Sequence, residues 1–90
     1  MNDEIENLRK RINEINSELI NLLDERIDVA KEIGNVKKAN GFEVFDVSRE
    51  AKILDEIGSR SKYPENTKEI FQKIMDESKK VQNSLREDED

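Results

Sequence analysis

The 90-residue chain contains no cysteine and no histidine. Without thiols it has no disulfides, thiolate metal sites or cysteine nucleophiles. Without imidazole it has neither a serine-histidine-aspartate relay nor an ordinary zinc site. No apolar run approaches the ~18 residues that span a bilayer, and the acidic start MNDEIE lacks the basic and apolar regions of a signal peptide. A cytoplasmic location and no membrane partner are therefore expected. The formal net charge is −6, and Glu87, Asp88, Glu89 and Asp90 account for much of it. Phosphate backbones bind net basic faces, so no nucleic-acid partner is expected. Proline occurs once, at Pro64, and no proline or glycine precedes Gly34.

Hydrophobic residues make up 33% of the chain and charged residues 42%, which would suit a disordered polymer if the apolar residues were scattered. They are periodic instead. Ile5, Ile12, Leu19, Arg26 and Ile33 recur seven apart, and Leu8, Ile15, Leu22, Val29 and Val36 follow the same period three places later, an a/d stripe that only Arg26 interrupts. This spacing predicts one continuous helix from Ile5 to Lys38. At 1.5 Å per residue it forms a rod of roughly 50 Å, whereas a compact globule of this size is only ~30 Å across. The remaining residues are too few to cover such a stripe, and a second copy of the long helix is its natural cover. A homodimer is expected.

Asn40-Gly41 then stops the helix, and a loop follows. Asp46 or Ser48 offers an N-cap oxygen for a second helix running to about Ser61, with Val47, Glu50, Leu54 and Ile57 on its inner face. Lys62-Tyr63-Pro64 ends that helix and opens a third at Pro64, whose stripe is Phe71, Ile74, Ser78, Val81 and Leu85. The predicted fold class is all-α, with three helices per chain, one very long, in an intertwined helical homodimer. Residues 1–86 form the helical domain and residues 87–90 a frayed acidic tail.

Each predicted helix carries one polar residue in its apolar stripe: Arg26, Glu50 and Ser78. Burying an unpaired charge costs several kcal/mol, so each must be paired, reach water or face a ligand. One reading pairs Arg26 with Glu50 as a register device. Another adds Lys37, which lies eleven residues beyond Arg26 and so within ~20° of it around the helix. Arg9 is turned ~100° from Arg26, which leaves it either reaching toward a partner's site or, as the bland reading has it for Arg9 and Lys37 taken singly, a solvated helix charge. Gln82 follows Ser78 by one helical turn, on the same face. Two or three cations, a carboxylate, a hydroxyl and an amide between apolar helices suit a small dianion carrying a hydroxyl. No nucleophile stands beside a base, so the chemistry that fits is electrostatic stabilisation and conformational restraint.

These residues stand in motifs that resemble the all-helical class of chorismate mutase. They are Leu8-Arg9-Lys10-Arg11-Ile12, Leu22-Leu23-Asp24-Glu25-Arg26, Ile33-Gly34-Asn35-Val36-Lys37, Asp46-Val47-Ser48-Arg49-Glu50 and Glu77-Ser78-Lys79-Lys80-Val81-Gln82. The resemblance implies an intertwined homodimer that rearranges chorismate to prephenate without a cofactor, on the route to phenylalanine and tyrosine. It further implies that Arg26 and the partner's Arg9 hold the substrate carboxylates, and that Lys37 bridges a carboxylate and the ether oxygen. Gln82 would donate to that ether oxygen. Glu50, with the backbone near Asp46 and Arg49, would bind the ring hydroxyl, and Ser78 would assist at the ring carboxylate. The chain departs from the usual pattern at Asn13, Asn16, Glu43 and Tyr63, none of which is a substrate-contacting position. Two other readings are an isochorismate-pyruvate lyase of the same fold and a catalytically silent helical dimerisation or regulatory module. The set Lys37, Glu50 and Gln82 favours the mutase over the lyase, and polar residues kept in apolar stripes weigh against a silent module.

Overall fold

The first helix is held at both ends by its own sequence. The structure, a computed structural model, describes residues 2–87, and these form α1 (Asp3–Ala39), α2 (Val47–Arg60) and α3 (Pro64–Glu87), with no strand among them. The side chain of Asn2 caps α1 by accepting the Ile5 N–H at 3.1 Å. Asp3, Glu4 and Glu6 lie in the first turn and Lys37 and Lys38 in the last, the charge order that complements the helix dipole. At the C-terminus the Phe42 N–H reaches the Lys37 carbonyl at 2.8 Å and the Gly41 N–H reaches the Lys38 carbonyl at 3.3 Å. That double closure is a Schellman motif. It needs a left-handed residue, which Gly41 supplies with φ of +69°.

Asp46 caps α2, accepting the Arg49 N–H at 3.1 Å and the Ser48 hydroxyl at 3.2 Å. Pro64 opens α3, as the spacing predicts. Tyr63 precedes it without a capping oxygen of its own, and its N–H donates to the Ser61 hydroxyl oxygen at 3.0 Å. α3 runs through Glu87, and the rest of the expected acidic tail lies outside the described residues.

α3 packs against both other helices, antiparallel to α2 and alongside the C-terminal half of α1. Its contacts with α1 advance in register, from Ser78 on Arg26 through Gln82 on Ala30 to Leu85 on Lys38. The face of α1 that meets α3 is the small one: Ala30 and Gly34 are its buried residues. A Cβ on Gly34 would stand 2.9 Å from Cγ of Gln82 and 3.0 Å from Cδ1 of Leu85, so this approach depends on glycine. The a/d stripe itself faces outward in the single chain. Residues 2–25 are all exposed, Leu8 at 62% and Leu22 at 61%. The molecule is correspondingly elongated, 57 × 29 × 15 Å.

The predicted inner faces hold except at Val47, with Ile53 added on α2 and Met75 and Gln82 on α3. Val47 is 68% exposed, and Glu50, Ile53, Leu54 and Ile57 form the half-buried side of α2 instead. On α3 the most buried residues are Met75 and Gln82, flanked by the half-buried Phe71, Ile74, Ser78, Val81 and Leu85. The seam of α3 is turned toward Gln82 because that is where the groove over Gly34 lies.

Candidate functional site

Where the three helices and the loop before α2 converge they leave a cleft of about 250 Å³. α1 contributes Arg26, Val29, Ala30, Ile33 and Lys37; the loop contributes Val44 and Asp46; α2 contributes Arg49, Glu50 and Ile53; α3 contributes Met75, Ser78, Lys79 and Gln82. Arg26, Lys37, Asp46, Arg49, Glu50, Ser78 and Gln82, far apart in sequence, therefore line one cavity. Arg9 does not. It lies on the exposed part of α1, seventeen residues or ~25 Å along the helix from Arg26.

Several polar groups in the cleft are held by nearby ones. Nη1 of Arg26 donates to the Ser78 hydroxyl oxygen at 2.8 Å, and that hydroxyl donates to the Ile74 carbonyl at 2.9 Å. Ser78 thereby fixes the guanidinium with one hydrogen already committed, while the rest of the guanidinium fork has donors to spare. The Lys37 ammonium donates to the Val44 carbonyl at 3.0 Å and keeps two further hydrogens. Gln82 is 7% exposed, and its amide nitrogen donates to the Ala30 carbonyl at 2.8 Å. That carbonyl takes one amide hydrogen and leaves the other.

The Arg26–Glu50 pair expected as a register device is not formed. Arg26 is taken by Ser78, and Glu50 faces Lys79, whose Nζ is 3.1 Å from one carboxylate oxygen and 3.4 Å from the other. The reason is positional: Arg26 and Glu50 lie on helices that each pack on α3, and α3 supplies a nearer partner to both. Lys79 also reaches Asp76 at 3.3 Å and lies 4.3 Å from the centre of the Phe45 ring.

Lys79 is the functional candidate that sequence reasoning missed. In sequence it is one of two adjacent lysines, and Lys80 is the exposed one, paired with Glu77. The available signal was its place next to Ser78 and three residues after Asp76, one turn along the same helix. Desolvation works against its charged form, yet hydrogen bonds to Glu50 and Asp76 outweigh that and raise its pKa above the ordinary lysine value. The Asp46 carboxyl is held below the usual carboxylate range, first by the Arg49 N–H and then by the Ser48 hydroxyl.

Four cations and two carboxylates line the cleft, an excess of positive charge suited to a small dianion. Apolar walls from Val29, Ile33, Val44, Ile53 and Met75 lower the local dielectric and strengthen those charges. Among the described residues no group of three or more carboxylates is placed to hold a metal ion. No helix among them is long and apolar enough to cross a membrane.

Comparison with known proteins points the same way as the geometry. The family model for chorismate mutase type II matches residues 8–83. The chain is 30% identical to the chorismate mutase of Methanocaldococcus jannaschii, over 98% of its own length and 93% of that protein. It is 36% identical to the bifunctional chorismate mutase/prephenate dehydratase of Aquifex aeolicus, over 61% of this chain and 15% of that one. The solved structure of the form II chorismate mutase from Thermus thermophilus superposes with a TM-score of 0.86 at 26% identity, over 89% of this chain and 94% of that one.

Proposed function

The chain belongs to the chorismate mutase type II family, and from that premise we propose that its cleft carries out the cofactor-free Claisen rearrangement of chorismate to prephenate. The observation that carries the reading is the meeting of Arg26, Lys37, Glu50 and Gln82 in one partly apolar cavity. Chorismate is a dianion with a ring hydroxyl and a flexible enolpyruvyl arm. It reacts only when that arm folds over the ring, so a site that clamps both carboxylates lowers the entropic part of the barrier.

Arg26, held by Ser78, receives one carboxylate. Because the Ser78 hydrogen is engaged by Ile74, Ser78 serves the substrate through Arg26. Lys37 bridges a carboxylate and the ether oxygen with the two hydrogens that Val44 leaves it. Gln82 donates its second amide hydrogen to the same ether oxygen. Negative charge gathers on that oxygen as the C–O bond breaks, so both donors bind the transition state more strongly than the ground state. Glu50, aided by the backbone near Asp46 and Arg49, accepts from the ring hydroxyl.

The second carboxylate needs a further cation, and Arg9 of its own chain is too far away. We assign that place to the partner's Arg9 in a homodimer. The uncovered stripe of α1 supports this assignment: Leu8, Ile12, Leu19 and Leu22 are each 49% exposed or more, and a second α1 laid alongside would bury them.

The test is to mix the purified chain with chorismate and identify the product. Prephenate is the expected product, and activity should survive exhaustive chelation. A folded dimer that leaves chorismate unchanged would refute the reading. Conversion of isochorismate to pyruvate and salicylate in its place would assign the site to the lyase.

A further inference from the structure

We propose that Lys79 is a positioning residue for this rearrangement, holding the Glu50 carboxylate by both oxygens and cancelling its charge against a dianionic substrate. The inference rests on the chorismate reading of the cleft and goes beyond the roles that reading assigns.

The geometry is specific. The Lys79 Nζ lies 3.1 Å and 3.4 Å from the two Glu50 oxygens, and the Glu50 side chain is 16% exposed. A carboxylate so little exposed needs a counter-ion or a ligand. The charged groups around it are Arg26 and Lys37 on α1, Asp46 and Arg49 at the start of α2, and Asp76 and Lys79 on α3. Arg26 is held by Ser78 and Lys37 by Val44, both in places where substrate carboxylates are to bind. Lys79 is the cation in contact with Glu50 itself.

Glu50 faces a conflict of roles. It must accept a hydroxyl hydrogen, for which an ionised carboxylate is the strongest acceptor, yet it must do so beside a ligand carrying two negative charges. Lys79 resolves the conflict by neutralising the pair as a whole through its contact with both carboxylate oxygens. Its pairing with Asp76 at 3.3 Å and its position over the Phe45 ring at 4.3 Å fix the ammonium on the α3 side of Glu50.

The experiment measures KM and kcat for chorismate as the pH is lowered from neutrality into the carboxylate range. It uses wild type, Lys79→Gln, Lys79→Arg, Glu50→Gln and the double variant Lys79→Gln/Glu50→Gln, with helicity checked at each pH. Near neutrality Lys79→Gln should raise KM roughly tenfold, the scale of one partly screened charge repulsion at close range, with kcat much less affected. The KM penalty relative to wild type should shrink in acid, where carboxylate repulsion is removed. Wild type titrated in parallel controls for Asp46, Asp76 and the substrate. Lys79→Arg should restore wild-type behaviour. On the Glu50→Gln background, Lys79→Gln should change KM by less than about twofold, because no charge remains to cancel. If Lys79→Gln alone does not fold, a full tenfold loss in that last comparison still overturns the proposal.

An unchanged KM, a penalty that is the same at every pH, or a full tenfold loss on the Glu50→Gln background would each overturn the proposal. An inactive wild type would overturn the chorismate reading itself. An active wild type with an indifferent Lys79 overturns this inference alone.

Discussion

Gln82 reaches from α3 across the groove of α1 and gives one amide hydrogen to the Ala30 carbonyl at 2.8 Å, directly over Gly34. This contact fixes the orientation of an amide that lines the cleft. Buried side-chain amides are usually engaged through every polar atom they can satisfy, and the hydrogen that Ala30 does not use is the one available to a ligand.

Replacing that amide by a carboxyl group, Gln82→Glu, should convert a pH-tolerant enzyme into one that works in acid. A glutamate donates a hydrogen bond only when protonated. When ionised it would face both the Ala30 carbonyl and an ether oxygen gaining negative charge, and both would repel it. Loss of such a donor typically costs ~3 kcal/mol, a hundredfold or more in rate. Burial favours the neutral form, so recovery should begin above the ordinary carboxylate range. Turnover of wild type and variant across a pH series checks this, and parallel decline in acid would separate Gln82 from the breaking bond.

Gly34→Ala should impair catalysis although alanine is the better helix former. The added Cβ would stand 2.9 Å from Gln82 Cγ and 3.0 Å from Leu85 Cδ1, so α3 must shift. A displacement on the scale of 1 Å at a reacting centre lowers rate by roughly a hundredfold. Gly58→Ala is the control. Its Cβ would meet the flexible end of Lys68, away from the cleft, and kcat should stay near wild type.

Arg9→Ala and Arg26→Ala should each be nearly inactive if the site is shared between protomers. Unfolded and refolded together in equal amounts, they should regain roughly a quarter of the wild-type sites, because half the dimers are mixed and each mixed dimer has one intact site. Proven subunit exchange without recovery would place Arg9 outside the partner's site.

The cap on α2 should carry a pH signature. The Arg49 N–H, and after it the Ser48 hydroxyl, hold the Asp46 carboxyl below the usual carboxylate range. A pKa lowered by folding stabilises the protein at pH values above the unfolded value and ceases to do so as pH falls through the folded value. The Tm difference between wild type and Asp46→Ala should therefore be full near neutrality and should close in strong acid. A difference that persists unchanged into strong acid would mean that the carboxylate charge plays no part in the cap.

Much of this was legible in the sequence because it is local. The heptads of α1, the Asn40-Gly41 stop, the Asp46 cap and Pro64 at the head of α3 each depend on interactions within a few residues of chain. The periodicity also placed Arg26 and Lys37 on one face of α1, and both line the cleft. The same spacing singled out Glu50, Ser78 and Gln82 on the other two helices, and the motifs that resemble the family added Asp46 and Arg49; all five line the same cavity.

What tertiary structure alone decided is which neighbour each polar residue meets. A stripe tells which residues share a face of a helix but is silent on the angle at which another helix crosses it. Close approach at Ala30 and Gly34 admits Gln82 and Leu85 of α3, and Met75 and Gln82 are the most buried residues of that helix. With α3 so rotated, Ser78 falls opposite Arg26 and Lys79 opposite Glu50, so each of the two is held by α3 rather than by the other. Lys79 and Lys80 are the same residue type one position apart, and a helical step of ~100° sends one into the cleft and the other to solvent; only the packing of α3 determines which is which.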